Sequence, residues 1–199
     1  MRIAVKLIEK ESGQAVDAEL SDEVTEEHLL LAEEQWRPMI REARRKLPPE
    51  LRPRNAHWDW TSKDRELALL ANTFYAIQLG DKIEGLMKVE TVGHVCRLPE
   101  QSRKELVYVD YLEAAPWNIK VLMNALGEKP KYALVGTRLM EAAVRQSLEE
   151  DFKGRVGLHA VPTSADFYIK ACGMTPVAPD PNKENLLWCE FTPEQAAKL

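Results

Sequence analysis

The period of hydrophobic and polar positions changes repeatedly along the chain, and each change marks an element. Residues 2–9, RIAVKLIE, read as a first strand, with a second short extended piece near Ala15 to Leu20. Thr25 then caps a long helix reaching about Leu47. Its apolar stripe is Leu29, Trp36, Ile40, Ala43 and Leu47, and Pro38 is expected to kink or split it. A Pro-rich connector, LPPELRPRN, leads to HWDWTSKDRELALLAN, where Thr61 or Ser62 caps a short helix from about Lys63 to Ala71. From Thr73 the period becomes alternating. FYAIQLGDKIEGLMKVETVG reads as two antiparallel strands joined by a Gly80-Asp81 turn, and ELVYVDYLEA (105–114) as a third strand halted by Pro116.

Residues 118–130 form an insert that reads as a helical turn or loop. Residues 131–150, KYALVGTRLMEAAVRQSLEE, give a short loop and then an amphipathic helix. Leu139, Met140, Ala143, Val144 and Leu148 line one side; Glu141, Arg145, Gln146 and Glu149 line the other. RVGLHAV (155–161) is a further strand, and SADFYIKACGM (164–174) a helix ending at Gly173, a natural C′ position. NLLWCEF (185–191) is the last strand, and PEQAAKL a tail helix capped by Thr192. This order predicts an α/β (α+β) single domain over residues 1–199, with a mixed sheet flanked by helices.

Composition narrows the field without naming a function. With 199 residues, 45% hydrophobic and 30% charged, the chain suits one globular core. The net charge of −5 gives no overall basic field, so nucleic acid is disfavoured as a partner. No apolar run approaches the roughly 18 residues a membrane span needs. The N-terminal MRIAVKLIEKE turns charged too early for a signal peptide, so a cytoplasmic location is expected. Cys96, Cys172 and Cys189 lack a CxxC pattern and fit buried thiols in a reducing compartment; no metal site is expected. The cations Arg41, Arg44, Arg45, Lys46, Arg52 and Arg54 suit a solvated helix end better than an acidic partner. Trp58 and Trp60 either close a core edge or line an acceptor pocket.

Gly136 and Thr137 stand where the chain enters the helix of 131–150. The first amides of a helix lack intrahelical acceptors and lie at the positive end of its dipole, which suits an anion, above all a phosphate.

The ordered set of segments over residues 73–191 resembles the GNAT superfamily of acyl-CoA-dependent N-acyltransferases. VYVDYLEAAP is similar to that family's fourth strand, ending Leu112-Glu113-Ala114-Ala115-Pro116. KYALVG resembles its Q/R-x-x-G-x-G/A pyrophosphate loop. FYIKACGM resembles its LYxxxGF-like segment, with Tyr168 at the tyrosine position, and AIQLGDKIEGLMKVE its second and third strands. Lys131 replaces the usual Gln or Arg, Leu134 occupies the first glycine position, Met174 the usual Phe, and a dozen-residue insert separates Pro116 from the loop.

The resemblance implies a twisted sheet whose parallel strands at 105–114 and 155–161 splay apart. It also implies acetyl-CoA (coenzyme A) as co-substrate. Ala133, Leu134, Val135, Gly136 and Thr137 would face the pyrophosphate, Lys131 or Arg138 would supply positive charge, and the main chain of Leu112 and Ala114 would hold the pantetheine arm. An alkyl ammonium, pKa about 10.4, must lose a proton before attack. The resemblance puts the base on strand 105–114, making Asp110 the first candidate and Glu113 the reserve; His159, on the adjacent strand, is a third. Strand alternation puts Tyr108, Asp110 and Leu112 on one face and Val109, Tyr111 and Glu113 on the other. Tyr168 resembles the family's general acid.

The reading is therefore an N-acetyltransferase moving an acetyl group to a primary amine by direct transfer. The acceptor, small molecule or protein, stays open, as does self-association as a homodimer. The alternatives are a non-catalytic acyl-CoA-binding or regulatory module on the same fold, and an interaction protein with an empty cleft.

Overall fold

The structure, a computed structural model, describes residues 1–53 and 57–199. Arg54 of the basic cluster lies outside the described residues. Two compact units emerge: one from Met1–Leu69, Phe74–Met87 and Leu112–Leu139, the other from Leu70–Thr73, Lys88–Tyr111 and Met140–Leu199.

In the first unit, β1 (Arg2–Glu9) and β2 (Ala15–Ser21) form an antiparallel hairpin in register from Arg2↔Ser21 to Ile8↔Ala15. β2 pairs antiparallel with β3 (Asn72–Leu79, of which residues 74–79 belong here), and β4 (Lys82–Glu90, of which residues 82–87 belong here) lies next in the sheet. The turn between them places Gly80 at φ 62°, a left-handed conformation that glycine adopts without a Cβ clash. Helix α1 (Glu26–Lys46) buries Leu29, Ala32, Trp36, Ile40 and Ala43. Trp36 Nε1 donates to the Ile83 carbonyl at 2.9 Å, fixing the helix against β4. At its start the Thr25 amide donates to His28 Nδ1 at 3.1 Å. Contrary to expectation, Pro38 does not split the helix. Pro38 and Glu34 are both exposed, so the carbonyl that loses its donor is on the solvent face, where water can satisfy it.

The helix expected over 63–71 is instead a tighter 3₁₀ stretch, Thr61–Ala68. Its N-cap position is Trp60, not the expected Thr61 or Ser62; Thr61 is the first residue of the stretch, and Asp59 Oδ1 accepts from its amide at 2.9 Å and from its hydroxyl at 2.6 Å. The insert contains α2 (Lys120–Leu126), closed by Gly127 at φ 78°. Two-residue β6 (Tyr132–Ala133) pairs antiparallel with the end of β1. The sequence reading had only a loop there, since two residues carry no periodicity.

In the second unit, β5 (Val107–Ala114, of which residues 107–111 belong here) pairs parallel with β7 (Val156–Ala160). That register runs from Val107↔Val156 to Val109↔Leu158, while β7 stays paired with β9 (Leu186–Glu190) as far as Ala160↔Leu187. Edge strand β8 (Thr175–Asp180) pairs antiparallel with β9 and shifts register between Pro176 and Pro179. Those prolines hide it from a periodicity reading, and an edge strand is where prolines are tolerated. The sheet is thus mixed and flanked by helices, as expected.

Helix α3 (Val135–Glu149) follows β6, and α4 (Pro193–Ala196) closes the chain with the Thr192 cap expected. Within α3 the expected faces hold except at two positions. Gln146 turns inward, Nε2 donating to Thr73 Oγ1 at 2.8 Å, and Leu148 is exposed. The helix expected over 164–174 is shorter, with a π-helical turn at Phe167–Ala171 and Gly173 at φ 79° beyond it. All three cysteines are buried free thiols. No helix among the described residues is long and apolar enough to cross a membrane.

Candidate functional site

The residues singled out for the cofactor, Leu112, Ala114, Lys131, Ala133, Leu134, Val135, Gly136, Thr137 and Arg138, all lie in the first unit. The helix begins earlier than the glycine suggested. α3 starts at Val135, and its first intrahelical bond runs from the Arg138 amide to the Leu134 carbonyl at 2.9 Å. Gly136 is therefore inside the first turn and not in the loop before it. The left-handed residue of the turn is Leu134, at φ 75°, the position where the resembled motif has its first glycine. The amides of Val135, Gly136 and Thr137 precede the first intrahelical bond and so have no acceptor within the helix. Lys131 is exposed, whereas Arg138 Nε donates to the Lys6 carbonyl of β1 at 3.0 Å.

Beneath this turn lies β4. A Cβ placed on Gly85 would stand 2.6 Å from Val135 Cγ1 and 3.1 Å from Leu139 Cδ1, so the missing side chain is what admits α3. A glycine inside an alternating strand is a signal of close approach that the sequence reading passed over.

Glu113 is also in the first unit. It is 4% exposed, and its Oε2 accepts from Trp60 Nε1 at 2.8 Å. Burial pushes its carboxyl up to about 7, against the opposing effect of the Trp60 hydrogen bond. Trp60 is fully buried, and its amide donates to Glu33 Oε1 at 2.7 Å, so it closes over the core beside Glu113.

Asp110, His159 and Tyr168 belong to the second unit. Lys88, 3% exposed, places Nζ 2.8 Å from Asp110 Oδ2 and 2.8 Å from Glu90 Oε1. One ammonium thus pairs with both carboxylates. The Tyr111 ring lies 5.9 Å from the same ammonium.

His159 Nδ1 stands 2.9 Å from Tyr108 Oη and Nε2 3.0 Å from Asp180 Oδ2. His159 and Arg97 hold Asp180 well below the usual carboxylate range, Arg97 through a 2.7 Å ion pair. An ionised carboxylate only accepts, so His159 Nε2 bears the hydrogen and Tyr108 donates to the bare Nδ1. Burial lowers the His159 pKa and raises that of Tyr108, keeping both neutral at pH 7. This Tyr108–His159–Asp180 chain was not legible in sequence, because Asp180 sits on the proline-bearing edge strand. Tyr168 occupies the π-helical turn, 7% exposed, with its pKa raised by burial.

No family model matches the sequence, and no curated protein matches it by sequence. Solved structures do match by fold. The chain is similar to the PaiA N-acetyltransferase of Thermoplasma acidophilum solved with coenzyme A (TM-score 0.55, 12% identity, 89% of this chain and 99% of that one). It is also similar to aminoglycoside acetyltransferase AAC(6')-Ib solved with coenzyme A and kanamycin (TM-score 0.55, 15% identity, 91% and 98%). The GNAT domain of S. lividans PAT matches at TM-score 0.52, 14% identity, over 96% of each chain. The fold of this chain is the GNAT fold.

Proposed function

We propose that this chain is an N-acetyltransferase that moves an acetyl group from acetyl-CoA to a primary amine by direct attack within a ternary complex. The observation that carries this reading is its fold likeness, over nine-tenths or so of the chain, to acetyltransferases solved with coenzyme A bound.

The turn into α3 fits the pyrophosphate. Three amides precede the first intrahelical bond at the positive end of a fifteen-residue helix, with the exposed Lys131 ammonium on the same turn. The main chain of Leu112 and Ala114, at the end of β5, serves the pantetheine arm as an added strand would. Lys131 or Arg138 supplies the positive charge; Arg138 Nε also donates to the Lys6 carbonyl and so ties the turn to β1.

The amine must lose a proton before it attacks. Among the carboxylates considered, Glu113 suits that role best: burial brings its pKa to about 7, poised between acid and base at neutral pH. Asp110 is engaged in an ion pair with the buried Lys88 ammonium at 2.8 Å. His159 already engages both nitrogens. Tyr168 keeps its proton at neutral pH and is assigned the return of a proton to the departing thiolate. The tetrahedral oxyanion takes its hydrogen bond from a main-chain amide near Leu112 or Ala114.

Glu113 and Tyr168 are 4% and 7% exposed, which favours the second reading, a module that holds acyl-CoA without turnover. Calorimetry with acetyl-CoA, followed by thiol release against a panel of small and peptidyl amines, tests both. Binding with turnover supports the transferase; binding with no turnover across the panel supports the module; no binding overturns both.

A further inference from the structure

Leu134 holds a left-handed backbone in which a leucine is strained, at the turn proposed above to hold coenzyme A. Such a residue persists only when its surroundings fix it. The surroundings here form a continuous chain of hydrogen bonds that no other part of the proposed mechanism uses. The Lys131 amide donates to the Trp117 carbonyl at 2.8 Å, and the next amide, Tyr132, donates to Asn118 Oδ1 at 2.9 Å. Asn118 Nδ2 and Trp117 Nε1 both donate to Glu84 Oε2, each at 2.7 Å. Glu84 is 1% exposed on β4, one residue before the glycine that admits Val135, and its own carbonyl accepts from the Ala115 amide at 2.8 Å. Successive amides of the turn are thus gripped from the start of the insert, and the grip is anchored on a buried carboxyl.

We propose that Glu84 and Asn118 are positioning residues: they clamp residues 131–132 so that Leu134 keeps its left-handed conformation, and so set the affinity for coenzyme A in place of the glycine that the resembled motif carries. This rests on the coenzyme A reading above. The insert between β5 and β6 then has a role: its first residues form the clamp.

The test measures acetyl-CoA affinity by calorimetry and amide hydrogen exchange without ligand. Asn118→Ala should weaken binding roughly tenfold, about one buried hydrogen bond, and speed exchange at Tyr132 while the β1–β2 hairpin stays protected. Glu84→Gln keeps an acceptor for Trp117 and Asn118 and should bind within about twofold of wild type, whereas Glu84→Ala should match Asn118→Ala. Leu134→Gly removes the need for a clamp, so Asn118→Ala placed on that background should cost less than about threefold. A merely structural role predicts lowered melting temperature with unchanged affinity, or loss of protection throughout, and either result overturns the proposal. So does an Asn118→Ala penalty that is the same with leucine or glycine at 134. Wild-type protein that binds no acetyl-CoA overturns the transferase reading and the clamp's place in it; wild-type binding matched by Asn118→Ala overturns the clamp alone.

Discussion

Trp60 Nε1 lies 2.8 Å from Glu113 Oε2, joining a loop residue to the end of β5 across 53 positions of sequence. The bond favours the ionised carboxylate, yet burial outweighs it and holds the pKa at about 7 instead of 4.5. Two measurements follow. If Glu113 takes the amine's proton, wild-type kcat/KM should climb through about pH 7, and Glu113→Gln should lose about 10²–10⁴-fold in kcat with acetyl-CoA affinity kept. For stability, the folded pKa lies above the unfolded one, so between about 4.5 and 7 the folded state binds more protons. Stability from this group therefore falls as pH rises through that window, by on the order of 3 kcal/mol. Glu113→Gln, which cannot ionise, should melt above wild type at pH 8 and close to it at pH 4. Parallel pH dependence in the two proteins removes the pKa argument.

Asp110 faces a different partner, and its variant separates the two carboxylates. Asp110→Asn keeps the shape and leaves Lys88 with Glu90, so turnover should stay within about threefold of wild type if Glu113 is the base. A loss near 10²-fold transfers the role to Asp110. Lys88→Met is a stability probe. It takes the ammonium from Asp110 and leaves Glu90 with His94, and removing one partner of a fully buried pair costs about 3–5 kcal/mol. Asp110 and Glu90 keep roughly a quarter of their side-chain surface, which reduces the expected loss to about 1–3 kcal/mol in denaturant unfolding.

Tyr168→Phe keeps the ring among its buried neighbours and removes only the hydroxyl. A proton donor to the thiolate contributes about 10²–10⁴-fold, so kcat should drop on that scale with acetyl-CoA affinity intact. Unfolding free energy should shift by no more than about 1 kcal/mol, the worth of one hydrogen bond. Normal turnover with a lowered melting temperature identifies a packing tyrosine.

How much of this was legible in the chain follows from where each signal resides. β1, α1 and the Gly80 turn are local patterns, set by alternation, a helical stripe and one left-handed glycine, and the sequence carries them apart from the break expected at Pro38. β6 and β8 are defined by partners: Tyr132 and Ala133 become a strand only against β1, and β8 carries prolines that argue against it until an edge position is known. The same division holds at the candidate site. Glu113, Asp110, His159 and Tyr168 were visible as residues of suitable chemistry on suitable elements. The partners of the first three, Trp60, Lys88, Tyr108 and Asp180, lie 21 to 53 positions away and were not. Burial at Glu113 and the ion pair at Asp110 both come from long-range packing, which is why the sequence favours Asp110 as the base and the proposal above favours Glu113. The sequence puts the helix entry at Gly136, whereas the helix starts at Val135 and the left-handed position falls on Leu134.

Gly85 offers the sharpest test of where coenzyme A rests. It sits inside β4, and an added Cβ would lie 2.6 Å from Val135 Cγ1, 3.1 Å from Leu139 Cδ1 and 3.4 Å from the Glu113 carbonyl. Val135 is β-branched and stiff at χ1, so the contact is not relieved by a rotamer change alone. In Gly85→Ala the first turn of α3 must lift from β4, carrying the amides of Val135, Gly136 and Thr137 with it. Overpacking of this kind costs about 1–3 kcal/mol, and acetyl-CoA affinity should fall about tenfold because the donors no longer converge on the pyrophosphate. Gly85→Ala combined with Val135→Ala removes the clashing methyls, and should restore much of both stability and affinity. A Gly85→Ala protein that is destabilised yet binds acetyl-CoA like wild type would place coenzyme A away from this turn.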